Sequence, residues 1–258
     1  MAENVDEFRN LMDIVAKLRA PDGCPWDREQ THQSLRATFM QECYEVLEAL
    51  DSEDMVALCE ELGDLMLHIV LQAQIAAEAG EFSIEDSLCS ISTKLIFRHP
   101  HVFGSTEVGS AEEVTYNWVQ LKQAEKGTDE SMLAGVPKEM PALGYSQEIQ
   151  GRVARVGFDW EDDEGVIDKL AEEVDELRRT ESHQRQAEEF GDLLFTLANI
   201  ARRWDVDLEA ALRGANQRFY RRFAHMEEAC RKRGVNIGDL SFDEQNALWE
   251  EAKRGVGD

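Results

Sequence analysis

The chain has 258 residues, enough for one large or two small domains with real cores. Its apolar share of 43% is ordinary for a globular protein, and 17 glycines with 5 prolines exclude collagen-like and Pro/Gly-rich disordered classes. Lys and Arg total 27 against 53 Asp and Glu, a net charge of −26, which argues against nucleic acid or an anionic membrane as the main partner and leaves room for divalent cations.

The first residues, MAENVDEFRN, lack the basic start and apolar run of a secretory signal. Hydrophobic periodicity then predicts helices over 4–19, 31–51, 53–79, 84–98, 111–126, 145–157, 164–181, 184–204, 208–231 and 242–254. The stripes are clearest at Leu58, Leu62, Leu65, Met66, Ile69 and Val70, and at Phe190, Leu193, Leu194, Leu197 and Ile200. No stretch alternates as a strand does, so the fold class expected is all-α. The longest uncharged apolar run, Leu65 to Ala77, has 13 residues, whereas a membrane span needs about 20. Cys24, Cys43, Cys59, Cys89 and Cys230 form no CxxC pair and leave an odd count. Disulfide scaffolding is therefore not expected, and a reduced, cytoplasmic protein is.

The chain reads twice. QECYEVLEAL at 41–50 matches EEVDELRRTE at 172–181, and CEELGDLMLHIVLQAQIA at 59–76 matches AEEFGDLLFTLANIARRW at 187–204. KLIFR at 94–98 pairs with RFYRR at 218–222, and NWVQLK at 117–122 with LWEEAK at 248–253. The order is kept with small loop changes, which predicts two tandem domains. The first covers 1–130 and the second 145–258. Between them, 131–144 reads as a linker on its Gly and Pro content.

Each copy carries Glu-x-x-Glu on one helix and Glu-x-x-Asp on the next. These are Glu42, Glu45, Glu61 and Asp64, then Glu173, Glu176, Glu189 and Asp192. Spacing of three puts both acids of a pair on one helical face. A lone pair of this kind is usually a solvated surface. Here, however, the acids border the apolar stripe: Glu42 lies beside Phe39 and Val46, and Glu173 beside Leu170 and Leu177. Anions clustered at a packing face need a counter-charge, and a hard, oxygen-liganded Mg²⁺ supplies one. Lys169 sits one turn before Glu173, Arg185 one turn before Glu189, and Arg218 and Arg222 are i,i+4 neighbours. Long cations near a carboxylate cluster suit a polyphosphate.

Together with LRAPDGCPWDREQTHQSLR at 18–36, HPHVFG at 99–104, RVGFDW at 155–160 and GDLLF at 191–195, these motifs resemble the two-domain MazG proteins of the all-α nucleoside triphosphate pyrophosphohydrolases. That resemblance spans nearly the whole chain. It implies Mg²⁺-dependent hydrolysis of NTP or dNTP to monophosphate and pyrophosphate, with Mn²⁺ a possible substitute, as nucleotide-pool house-cleaning. It also implies MazG-like helical bundles completed in a homodimer. By the family pattern the metal ligands are Glu173, Glu176, Glu189 and Asp192, with Glu173 or Glu176 as catalytic base. Lys169, Arg185, Arg218, Arg222 and Trp249 fall at nucleotide-binding positions, and Glu42, Glu45, Glu61 and Asp64 make a possible second metal site. Gln41 departs from the family, where Glu is common. A narrower dUTP, dCTP or phosphoribosyl-ATP pyrophosphohydrolase, and a non-catalytic acidic scaffold, are the competing readings.

Lys169 aligns with Thr38 and Arg185 with Ala57, whereas Arg218 and Arg222 align with Lys94 and Arg98. The first copy is thus two cations short, and the second is expected to carry most of the activity. His99 and His101, two residues apart, are read as part of a turn rather than as ligands. Cys24 and Trp26 are read as a loop packed on the body.

Overall fold

The computed structural model describes residues 2–111, 113–115, 117, 118, 121 and 131–255. Among them there is no strand, so the chain is all-α. It divides into two compact units, Met1–Thr128 and Asp129–Asp258. Part of the helix expected over 111–126 and the boundary expected at 130 lie outside the described residues.

The first unit contains α1 (Ala2–Arg19), α2 (Pro25–Glu29), α3 (Arg36–Asp51), α4 (Met55–Ala79), α5 (Ile84–Arg98) and α6 (Pro100–Phe103). Its longest helix, α4, is set by its ends. Asp54 accepts from the amides of Val56 and Ala57 at 3.0 and 3.1 Å, and Gly80 closes the helix in the left-handed region at φ 72°. Ser83 and Asp86 form a reciprocal capping box on α5. Helix α3 begins at Arg36, five residues later than its periodicity suggests. The hydroxyl of Ser34 instead accepts from the Thr31 amide at 2.9 Å, and that of Thr31 from the Ser34 amide at 3.1 Å, so side chains hold this segment as a turn.

α3 and α1 both pack along α4. Val15, Leu35, Val70 and Leu71 are buried together, flanked by Phe8, Leu11, Met12, Leu67 and Ile75. Full burial of each such side chain contributes about 1.5–3 kcal/mol. Arg19 ties the loop before α3 to this core. Its Nε and Nη2 donate to Glu78 at 2.9 and 2.7 Å, and its Nη1 donates to the carbonyls of Asp27 and Gln30. A side chain at Gly23 would put its Cβ 2.3 Å from the Leu18 carbonyl oxygen, so only glycine fits there. Trp26, expected to pack on the body, is largely exposed; Arg19 and the backbone hold the loop instead.

The second unit contains α7 (Ala142–Ala154), α8 (Asp163–Arg179), α9 (His183–Arg203), α10 (Leu208–Arg233), a 3-10 turn (Ile237–Asp239) and α11 (Phe242–Gly255). Asp162, Ser182 and Asp207 cap α8, α9 and α10. The 131–144 stretch is docked on this unit: Val136 is buried and Arg152 donates to the Ala134 carbonyl at 2.8 Å. α9 packs along α8 and α7, while α10 and α11 enclose Met226, Cys230, Leu248 and Ala252. The GFDW segment is pinned by charge. Arg202 Nη2 lies 2.6 Å from Asp159 Oδ1, Arg203 Nε 2.7 Å from Asp163 Oδ1, and Trp204 donates to Asp163 Oδ2 at 2.9 Å.

Candidate metal centres and their surroundings

In the first unit, Glu42 and Glu45 come from α3 and Glu61 from α4. Each presents a carboxylate oxygen within 4.8 Å of the others. Asp64 lies outside that set of three but near enough for its charge to act on Glu42 and Glu61. Burial raises the Glu42 carboxyl above its ordinary range. The Glu45 carboxyl, hydrogen-bonded to it, raises it further, as do the charges of Asp64 and Glu61. Glu61 is raised for the same reasons, partial burial first and the neighbouring acids next. Gln41, the family departure, donates to Glu45 Oε1 at 3.0 Å, so here a neutral amide takes a place where an acid would add another negative charge.

In the second unit the equivalent helices gather Glu173, Glu189 and Asp192. Glu173 is only 4% exposed. Lys169 Nζ holds its Oε1 at 2.8 Å, while Oε2 is buried with no hydrogen-bond partner. Glu176 stands outside the set of three oxygens but hydrogen-bonds Glu189, whose carboxyl is raised by desolvation and by the charges of Glu176, Glu173 and Asp192. The donors are all hard carboxylate oxygens, and an unpartnered buried oxygen among them is a group short of a cation. The residues therefore fit a divalent metal of the Mg²⁺ or Ca²⁺ type.

The expected cations are placed unequally. Lys169 is at the cluster. Arg185 lies exposed in the first turn of α9, one turn before Glu189. Arg218 and Arg222 are on α10. Trp249, on α11, packs against the Met226 core, with its ring 5.2 Å from that of Phe219. In the first unit the counterpart of Trp249, Trp118, carries Arg98 over its ring at 5.5 Å.

One residue escaped the sequence reading. His68 is buried on α4, with Nε2 3.8 Å from Glu42 Oε1 and its ring edge-on to Phe39 at 6.0 Å. Its Nδ1 has no partner. The signal was available: His68 follows Asp64 by four residues and Glu61 by seven, on the acidic face of α4.

Comparison with known proteins gives the family. This chain is 44% identical over 249 residues to the nucleoside triphosphate pyrophosphohydrolase/pyrophosphatase MazG of Thermotoga maritima, covering 96% of each. The chain belongs to the MazG family. It is 38% identical over 258 residues to the nucleoside triphosphate pyrophosphohydrolase of Escherichia coli K12, covering 97% of this chain and 98% of that one. Residues 30–103 match the MazG nucleotide pyrophosphohydrolase domain. That match encloses Glu42, Glu45, Glu61, Asp64 and His68.

Proposed function

We propose that this chain is a house-cleaning hydrolase that cuts nucleoside triphosphates, NTP and dNTP, to monophosphate and pyrophosphate, using Mg²⁺ held by carboxylates. The observation that carries this reading is Glu173, a buried acid with one oxygen on Lys169 and the other unpartnered, in a chain of the MazG family. Glu173, Glu189 and Asp192, with Glu176 beside them, would hold the metal, and Glu42, Glu45, Glu61 and Asp64 a second one. When bound, a divalent cation there supplies positive charge to phosphate oxygens and lowers the pKa of a water.

The rest of the chemistry belongs to the chain. Glu176, outside the three-oxygen set, accepts the proton of the water that attacks the α-phosphorus. Lys169, Arg185, Arg218 and Arg222 bind the polyphosphate and offset the charge that builds on the departing pyrophosphate, since phosphoryl-type transfer is mostly positioning and electrostatics. Trp249 serves the nucleotide site by packing on Phe219, the neighbour of Arg218. Pyrophosphate release from the eight common NTPs and dNTPs, with and without Mg²⁺, tests the reading. Orthophosphate and diphosphate as products would defeat it.

Two tandem MazG-like domains, paired in a homodimer and working in the cytoplasm, complete the proposal. Support for the dimer comes from matched apolar surface in the two units: Leu62 and Met66 on α4, Phe190 and Leu194 on α9, all exposed in the single chain. Gly63 and Gly191 lie in the same stretches, and a Cβ added to either would meet nothing within 4 Å. A mid-helix glycine costs about 1 kcal/mol against alanine, and a close-packed second chain gives a reason to keep it.

A further inference from the structure

The metal ligands of the second unit already have a competitor for one of their oxygens. Lys169 Nζ lies 2.8 Å from Glu173 Oε1 and 3.2 Å from Glu172 Oε1. Glu173 is 4% exposed, so this ammonium is the counter-charge that makes its burial tolerable. Two carboxylates within 3.2 Å favour the charged ammonium. A divalent cation arriving at Glu173 Oε2 would sit a few ångströms from that ammonium, and like charges at such a distance repel.

The first unit has the same acids without the same competitor. Thr38 replaces Lys169, and its hydroxyl donates to the Leu35 carbonyl at 3.1 Å rather than to Glu42. The basic group facing Glu42 is His68, at 3.8 Å from the neighbouring helix, beyond hydrogen-bond distance. Thr196 stands at the His68 position in the second unit.

We propose that Lys169 is a counter-ion which the second unit trades between its own acids and its substrate. It neutralises Glu173 in the empty site and weakens the binding of metal alone. When a nucleoside triphosphate enters, its flexible stem lets the ammonium pass to the polyphosphate, and the vacated Glu173 oxygen joins the metal's ligands. Metal and nucleotide therefore bind the second unit cooperatively and reciprocally, while the first unit takes its metal without nucleotide. The proposal rests on the metal ligands assigned above, and the identity of the polyphosphate on the hydrolase reading.

The test uses the full chain at pH 8, with Mn²⁺ as probe, read by calorimetry or electron paramagnetic resonance. A Glu42→Gln/Glu45→Gln background isolates the second cluster. In it, Lys169→Gln is expected to tighten Mn²⁺ binding in the absence of nucleotide by about tenfold, the scale of removing one nearby cation. The same variant should weaken binding of α,β-methylene-ATP, which cannot be cut at the α–β bond. Lys169→Arg, which keeps the charge, should leave Mn²⁺ binding weak. In the reciprocal Glu173→Gln/Glu176→Gln background, Thr38→Lys should loosen Mn²⁺ at the first cluster. If Lys169→Gln loosens Mn²⁺ or leaves it unchanged, or if Thr38→Lys has no effect, the proposal is overturned. Triphosphate turnover by the unmodified chain is scored separately. Mn²⁺ shifts without turnover would remove the hydrolase reading and keep the counter-ion; turnover without the shifts would do the reverse.

Discussion

His68 Nε2 faces Glu42 Oε1 across 3.8 Å between α4 and α3. The equivalent acid of the second unit, Glu173, is held from its own helix by Lys169 at 2.8 Å. The basic partner of the first acid has thus changed both helix and kind. Burial holds the His68 imidazole below its ordinary basicity, against the pull of Asp64. The first unit keeps the carboxylates and gives them a weaker cation.

That difference predicts how activity divides. Thr38 and Ala57 stand where Lys169 and Arg185 do, and each charge-assisted hydrogen bond to phosphate is worth about 1.5–3 kcal/mol. If both act in the transition state, the second unit should outpace the first by roughly 10²–10⁴-fold. Glu173→Ala/Glu176→Ala should therefore remove nearly all turnover on a panel of NTPs, and Glu42→Ala/Glu45→Ala should leave most of it. Circular dichroism checks that both variants fold. The opposite pattern would move the main site to the first unit.

The acid pairs and the all-α fold were legible because their signals are local: spacing of three, stripes of period 3.6, and the same order twice. What was missed depends on distance in the chain. Arg19 reaches Glu78, and Arg202 and Arg203 reach back to Asp159, across stretches no helical period spans. These contacts, not the Trp26 ring, hold the loops that carry the most distinctive strings. His68 carried a local signal, its spacing of four from Asp64, but it sits in an apolar run and reads as core, which it also is; the pairing of α3 with α4 puts it opposite Glu42.

Metal dependence follows from the crowding of like charge. Glu42, Glu61 and Glu189 are all raised by their acidic neighbours as well as by burial, and a divalent cation relieves that repulsion in the folded state alone. Mg²⁺ should raise the thermal unfolding midpoint and support turnover, and excess EDTA should abolish turnover. Combining Glu42→Gln with Glu173→Gln should blunt the Mg²⁺-induced stabilisation. Undiminished turnover in EDTA would end the metal assignment.

The exposed stripe predicts the assembly state. Leu62, Met66, Phe190 and Leu194 are large apolar side chains at matched positions on α4 and α9, and a solvated face of this kind is costly to leave open. Light scattering should give about twice the 29.3 kDa chain mass at micromolar concentration. Leu62→Glu with Phe190→Glu should shift the population toward monomer and lower activity with it. A mass of one chain throughout would decide for the monomer.

Acid should unfold the second unit partly through Asp159. Burial pushes this carboxyl up, but the Arg202 hydrogen bond, the Trp160 amide and the Arg203 charge outweigh it, so the folded value lies below the ordinary one. Asp163 is lowered too, by Arg203 first and then by Trp204. A carboxylate lowered on folding contributes stability that is fully present above its unfolded pKa of about 4 and lost as pH falls through the folded value. Neutral pH therefore shows the whole contribution, and the loss begins only below about pH 4. Asp159→Asn should lower the unfolding midpoint at pH 7, because it leaves Arg202 without its carboxylate at 2.6 Å. It should also shrink the further drop between pH 5 and pH 3, since the group that would have been protonated is gone. Thermal melts of both proteins across that range decide it. Parallel curves, offset by a constant, would mean that Asp159 contributes packing and not charge.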